Sequence, residues 1–286
     1  MSFTQDDYKA MQEEMKKEGS KSSIFWTPKE GKNAIRILPP LKNKGEKVFY
    51  FHHRVHFISG VAYESLNQDI IDSTGEFHKA RKSAVDIMAQ KFWDAGERGS
   101  EEWEVAKQLS ASDRYIYRII VRGKDDETLP EMYETGPLIF KMLKNIILDG
   151  EYGPIISPFE DGRDFIINRE GTGPQTSYKS SMPAANPSSA FKSKEMLAVC
   201  LKNASGIDFN SIINLPTEEA LKLALEEWMD SKGILDPART TISASKPVAQ
   251  KQATSVQQKE RPAPAVEETE KSMTSDDVDD ILAQYM

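Results

Sequence analysis

Three stretches alternate apolar side chains with charged or ring side chains: "AIRIL" at 34–38, "VFYFHHRVHF" at 48–57 and "DRYIYRIIVRG" at 113–123. A period of two throws successive side chains to opposite faces of an extended chain, so these stretches read as β-strands and commit the chain to a sheet. In the first, Ile35 and Ile37 oppose Arg36. In the second, Phe49, Phe51, Val55 and Phe57 share one face, and Tyr50, His52, Arg54 and His56 share the other. In the third, Arg114, Arg118 and Arg122 lie opposite Tyr115, Tyr117, Ile119 and Val121. "PEMYETG" reads as a short strand and turn, and "RDFIINR" as a further strand.

Helical spacing lies between and after these strands. Residues 77–110 read as helical, with Ser100 capping a second helix that carries Trp103, Ala106 and Leu109. Pro137 opens a helix that runs to about Leu148, because proline is favoured at the first helical position. Lys141 and Lys144 share a face of it. "EGTGPQTSYKSSMPAANPSS" is a polar loop with too many turn formers for an element. "FKSKEMLAVCLKNAS" and "TEEALKLALEEWMDSKG" both have helical apolar spacing, and Gly233 ends the second. The class expected is α+β.

The ends differ from this core. Residues 3–18 read as a capped helix, with Thr4 and Asp7 at the cap positions and Gly19 as the stop. Such a helix is too short to stand alone, so it docks on its own core or on a neighbouring copy. Residues 236–273 hold no aromatic side chain and abound in Pro, Ala, Ser, Thr, Gln and charge, a composition that cannot bury enough surface to fold. "TSDDVDDILAQYM" then places Val278, Ile281, Leu282 and Tyr285 at i, i+3, i+4 and i+7, with acids on the other faces. Solubility needs no such apolar stripe, so the stripe reads as a partner-recognition motif. The divisions expected are an arm at 1–22, a core at 23–235, a disordered linker at 236–273 and an acidic tail helix at 274–286.

The formal net charge of −8 hides a segregation. Residues 21–58 hold eight Lys or Arg against two acids, and residues 267–286 hold seven acids against one Lys. A basic block and an acidic terminus of equal size point to a polyanion site and a tail that competes for it. The single cysteine, Cys200, excludes an internal disulfide and any multi-cysteine zinc site. No apolar run approaches the roughly 20 residues of a membrane span, and the first residues lack the apolar segment of a signal peptide. A soluble, intracellular protein that contacts no membrane is expected.

Rings and cations interleaved on one face suit unpaired nucleic acid. Cations track the phosphates and rings stack on bases, each stacked base being worth roughly 1–3 kcal/mol. His52, His53 and His56 are close in sequence, but a strand splits them between faces and no Cys pair or acid cluster completes a tetrahedron; no metal or other cofactor is expected. Nucleotide-binding, nucleophile-elbow and metalloprotease motifs are missing. No catalysis is expected. Two other classes stay open. One is an adaptor whose basic face binds an acidic protein; the other is a metal-dependent nuclease using Asp161 and Asp164.

The order of these features resembles the helix-destabilising single-stranded DNA-binding proteins of T-even-like bacteriophages, over most of the chain. "NAIRILPP", a basic loop and "VFYFHHRVHF" are similar to that family's opening strands. "RYIYRIIVRGKDDE" is similar to its central strand and turn, and "MYETGPLIFKMLKNII" to the strand and helix that follow. "GPIISPFEDGRDFIINREG" resembles the closing strands and "DDVDDILAQYM" the acidic tail. The resemblance implies an OB-fold-like β-barrel core with helical insertions, a flexible N-terminal arm and a disordered acidic C-terminal tail. It implies cooperative, nearly sequence-blind binding of single-stranded DNA in viral replication, recombination and repair, in the cytoplasm of an infected host cell. The arm would contact neighbouring copies along the DNA, "KKEGSKSS" being a loose version of the family's basic cluster. The tail would recruit replication and recombination proteins through Val278, Ile281, Leu282 and Tyr285. The family's zinc is held by one His and three Cys; those cysteines are missing, so zinc is not carried over, and a helical insert packed by Phe92 and Trp93 takes its structural place. The residues expected on DNA are Arg36, Lys42, Lys44, Lys47, Tyr50, His52 and Arg54, followed by Arg114, Tyr115, Tyr117, Arg118, Tyr133, Lys141, Lys144 and Tyr178. A preference for RNA over DNA stays open.

Overall fold

The computed structural model describes residues 25–237 and 275–285. It is a mixed α+β chain with a mostly antiparallel sheet. The strands are β1 (Gly31–Ile37), β2 (Tyr50–Ile58), β3 (Val61–Glu64), β4 (Ile70–Ile71), β5 (Phe77–His78), β6 (Ser112–Val121), β7 (Glu131–Thr135), β8 (Phe165–Arg169) and β9 (Met182–Pro183). Six α-helices join them among the described residues: α1 (Ala84–Ala95), α2 (Glu101–Leu109), α3 (Pro137–Asp149), α4 (Lys194–Gly206), α5 (Glu218–Lys232) and α6 (Ser275–Tyr285).

The ten-residue strand β6 organises the main sheet, whose order is β3-β2-β6-β1-β8-β9 with β7 also on β6. Around Ile119 the strand is paired on both edges, with Ile37 of β1 on one side and Glu131 of β7 on the other. Its residues 116–120 are all buried. A strand covered on both faces reads as a continuous apolar run rather than an alternation, so the two-faced reading of "DRYIYRIIVRG" holds only at its two ends.

The chain divides into two compact units. Among the described residues, the first comprises 25–52, 113–209 and 281–285, and the second 53–112, 210–237 and 275–280. The division falls inside β2, after His52. In the first unit, Ile35, Ile37, Tyr117, Ile119, Tyr133, Ile139, Leu143, Phe165 and Ile167 form one core. α3 closes on it, with Pro137 at its first turn, as the sequence predicts, and Gly150 at φ +72° stopping it. In the second unit, Val85, Phe92, Ala106, Leu109, Leu221 and Trp228 form a separate core. Ser83 caps α1 through a reciprocal box with Asp86, and Ser100 caps α2 by accepting from the Trp103 amide.

Three expectations are corrected. Residues 77–83 are not helical: β5 is a hairpin strand, and α1 starts only at Ala84, where Ser83 supplies the cap. The 170–189 loop contains β9, which pairs with β8 through Phe165–Pro183 and Ile166–Met182. His56 does not share an open face with Tyr50 and His52; it is fully buried. The expected arm helix at 3–18 and nearly all of the 236–273 linker lie outside the described residues.

Candidate nucleic-acid interface

In the first unit, β2 and β6 lie side by side and bring rings together. Tyr115 lies between two ring partners. The Phe140 ring is parallel to it at 3.7 Å between centroids and 7°, and the His52 ring stacks at 4.9 Å and 29°. Tyr50 meets Tyr115 and Phe140 edge-on at 5.7 and 4.9 Å, and Phe49 meets Tyr50 edge-on at 5.3 Å. His52 is the open end of this stack, with its side chain 42% exposed, and its Nε2 lies 2.9 Å from Asp113 Oδ1. Burial, helped by Asp113 and Tyr50, pushes the Tyr115 hydroxyl above its ordinary pKa. A stack fixed at one end and open at the other is a platform to which a further flat ring can add.

Exposed cations stand on the helix that carries Phe140 and on the loop ahead of β2. Lys141 follows Phe140 directly on α3, and Lys144 stands at i+4 from Phe140, on the same helical face. Both are exposed. The loop ahead of β2 carries exposed Lys42, Lys44 and Lys47, its helical turn closed by Gly45 at φ +68°. Lys44 Nζ donates to the Ile207 carbonyl at 3.2 Å. Beside the helix start, a cleft of about 500 Å³ is lined by Trp26, Arg114, Tyr133, Pro137, Tyr178 and neighbours. Arg114 is ion-paired to Glu134 at 2.8 Å, and Tyr178 is half-buried.

Four expected contact residues are removed from the surface. Arg36 is 0% exposed: its Nε donates to Asp164, its NH1 to the Ser157 carbonyl and its NH2 to Ser188. Arg118 is 4% exposed and is held by Glu46 and the Ile207 carbonyl, its guanidinium 4.1 Å from the Phe209 ring. Tyr117 is 0% and Tyr133 4% exposed. Burial drives both phenols far above their ordinary range. A buried guanidinium must satisfy its donors internally, and the acids and carbonyls of neighbouring segments do so here. Arg54 is half-buried in the second unit and reaches the Asn67 carbonyl. Of the expected set, Lys42, Lys44, Lys47, Tyr50, His52, Arg114, Tyr115, Lys141, Lys144 and Tyr178 remain at least partly accessible in the first unit.

Phe140 was absent from the expected set although it is the ring most tightly stacked on Tyr115. Its signal was its helical phase: it precedes Lys141 and shares a face with Lys144.

The residues of the nuclease reading are engaged elsewhere. Asp164 Oδ1 accepts from Arg36 Nε, Arg122 Nε and Arg122 NH2, each at 3.0 Å. Asp161 Oδ1 accepts from the Ser157 hydroxyl. A carboxylate neutralised by two guanidiniums is a poor ligand for a divalent cation.

In the second unit, His53 Nδ1 lies 2.9 Å from Glu64, and His56 Nδ1 donates to the Leu109 carbonyl at 2.8 Å. That bond fixes a proton on Nδ1 and leaves Nε2 facing Asp86 Oδ1 at 3.6 Å. Among the described residues, one His and acid group is compact enough for an ion: Asp72, Glu76 and His78, with donor atoms within 4.8 Å of one another. Asp72 is already the knot of a turn, accepting from the Thr74 amide and hydroxyl, the Glu76 amide and His78 Nε2. The Thr74 hydroxyl and then His78 hold its carboxyl far below the usual carboxylate range.

The tail helix α6 forms as its spacing predicts, and its stripe is covered. Val278, Leu282 and Tyr285 are buried and Ile281 is half-buried. The Tyr285 hydroxyl lies 3.4 Å from the Ser205 hydroxyl on α4. A partner that reads this stripe must first displace it from its own chain. No helix among the described residues is long and apolar enough to cross a membrane.

The chain matches no protein-family model and no curated protein.

Proposed function

We propose that this protein binds single-stranded nucleic acid, DNA foremost, without catalysis and with little sequence preference. The observation that carries the reading is the His52–Tyr115–Phe140 stack, open at His52, with exposed Lys141 and Lys144 on the helix that supplies Phe140. Every base has a π-face, so a ring platform accepts any unpaired base. These lysines supply the phosphate charge that a solvated strand requires. In this reading the antiparallel sheet of the first unit is an OB-fold-like barrel, and the Lys42–Lys47 loop is one rim of its groove. The resemblance to the phage helix-destabilising proteins supports the same reading and adds cooperative self-association through residues 1–22, a role in replication, recombination and repair, and a tail that recruits partners.

Intrinsic fluorescence on titration with oligo-dT tests it. Stacking of a base on the Tyr50/Tyr115 cluster quenches emission, and the quench reverses with added salt. An adaptor for acidic proteins leaves the signal unchanged, and that result overturns the reading.

A further inference from the structure

The β4–β5 hairpin of the second unit presents a surface that the reading above leaves unused. Its register pairs Ile70 with His78 and Ile71 with Phe77. Directly opposed residues lie on one face of an antiparallel pair, and neighbours in sequence alternate. Ile70 is 6% exposed, whereas Ile71 is 41% and Phe77 61% exposed. One face is therefore held against the unit, and the other turns an aliphatic side chain and a ring to water. Phe77 also opens the run "FHKARK", in which Lys79, Arg81 and Lys82 are exposed and no acid occurs. Among the described residues these three cations enter no ion pair or side-chain hydrogen bond.

The surface is held in shape from behind. Asp72 ties the 72–76 turn, Ala80 donates its amide to Asp69 Oδ1 at 2.7 Å, and the Arg81 amide donates to the Leu66 carbonyl at 2.9 Å. Of the nearby acids, Asp69 and Asp72 are engaged in these bonds and Glu218 accepts from the Ala84 amide at the start of α1. Glu76, directly before Phe77, is exposed, and Glu219 lines one cavity with Ile70, His78, Lys79 and Arg81. An exposed ring followed within five residues by three cations that enter no ion pair among the described residues offers an unpaired polynucleotide both stacking and phosphate neutralisation.

We propose that the β4–β5 hairpin and the 79–82 segment that follows it form a second contact for single-stranded nucleic acid, with Phe77 stacking on a base and Lys79, Arg81 and Lys82 neutralising phosphates. It rests on the reading that the protein binds unpaired strands. The test is a salt titration of full-length protein on poly(dT). Replacing Lys79, Arg81 and Lys82 together by Ala makes the plot of log K against log salt shallower by about 2, since each phosphate contact contributes about 0.7. Phe77→Ala weakens binding about fivefold or more at fixed salt, and Phe77→Tyr restores it. The charge-keeping variant Lys79→Arg/Lys82→Arg retains the wild-type slope. Should the triple variant fail to fold, Lys79→Ala alone reads the same effect as a change of about 0.7. A wild-type slope in the Ala variants, with wild type binding normally, overturns this inference alone; wild type that ignores poly(dT) overturns the functional reading with it. A variant that loses only binding to phosphatidylserine–phosphatidylcholine vesicles assigns the face to a membrane and also overturns the inference.

Discussion

Within β2, Tyr50 and His52 lie at the water-facing end of a ring cluster, while His53 and His56, one and four residues on, are 3% and 0% exposed. The strand does not change its character across that step; its neighbours change. Tyr50 and His52 meet the flat faces of Tyr115 and Phe140, and the one carboxylate at His52, that of Asp113, is itself 46% exposed. His53 and His56 meet Glu64 and Asp86, which offer carboxylates. An imidazole beside rings extends a stack and stays available to a ligand. An imidazole enclosed by acids and carbonyls becomes part of the packing. The role of a histidine in this strand is set by the segment laid against it.

The contrast can be broken first by removing a buried partner. His53→Ala leaves the Glu64 carboxylate, 13% exposed, without its ring. Leaving a buried group without its hydrogen-bond partner costs about 1–3 kcal/mol, read as a lower denaturant midpoint, while the affinity of the folded fraction for oligo-dT stays unchanged. A parallel fall in affinity would show that the two halves are not independent.

Next in size is the platform itself. Tyr115→Ala removes the middle of the stack and lowers affinity for oligo-dT by about 1–3 kcal/mol, the value of a stacked base. Tyr115→Phe keeps the ring and most of the affinity. An equal loss in both variants would give the hydroxyl, not the ring face, the leading role.

Smaller again is the charge on α3. Lys141→Ala and Lys144→Ala each make the salt dependence shallower by about 0.7 for single strands, and sequence preference does not alter. A change in sequence preference without a change in slope would remove these lysines from the phosphate track.

The smallest effect concerns a carboxylate outside β2, in the 72–76 turn. The folded-state pKa of Asp72 is depressed, so its stabilising contribution is complete above the ordinary value of about 4 and is lost as the pH falls below it. Amide exchange at Thr74 and Glu76 should report opening of that turn in acid, and Asp72→Asn should remove the pH dependence.

Local chemistry made much of this legible. Pro137 opens α3, Ser100 caps α2, and Gly233 at φ +66° ends α5, because each acts through its own backbone neighbourhood. The phase of Val278, Leu282 and Tyr285 marked the apolar face of α6 correctly. What stayed hidden was which face of a strand meets water. Arg36 and Arg118 read as phosphate contacts because they alternate with apolar residues. Both are buried because Asp164, 128 residues away, and Glu46, 72 residues away, return to meet them. Tyr117 and Tyr133 are opposed across β6 and β7 inside the core, whereas Tyr115, two residues earlier on the same strand, is half-exposed. Such long-range pairings leave no trace in a periodicity. The Phe77 hairpin was missed for a related reason: its strands are two residues each, shorter than any pattern can resolve.

The most direct measurement is a salt titration of the intact protein on single-stranded and double-stranded DNA of equal length. Binding to the single strand should weaken steeply as salt rises, and binding to the duplex, whose bases are stacked on each other and closed to His52, Tyr50 and Tyr115, should be much weaker. Equal affinity for both forms, or no binding to either in dilute buffer, would contradict the single-strand reading.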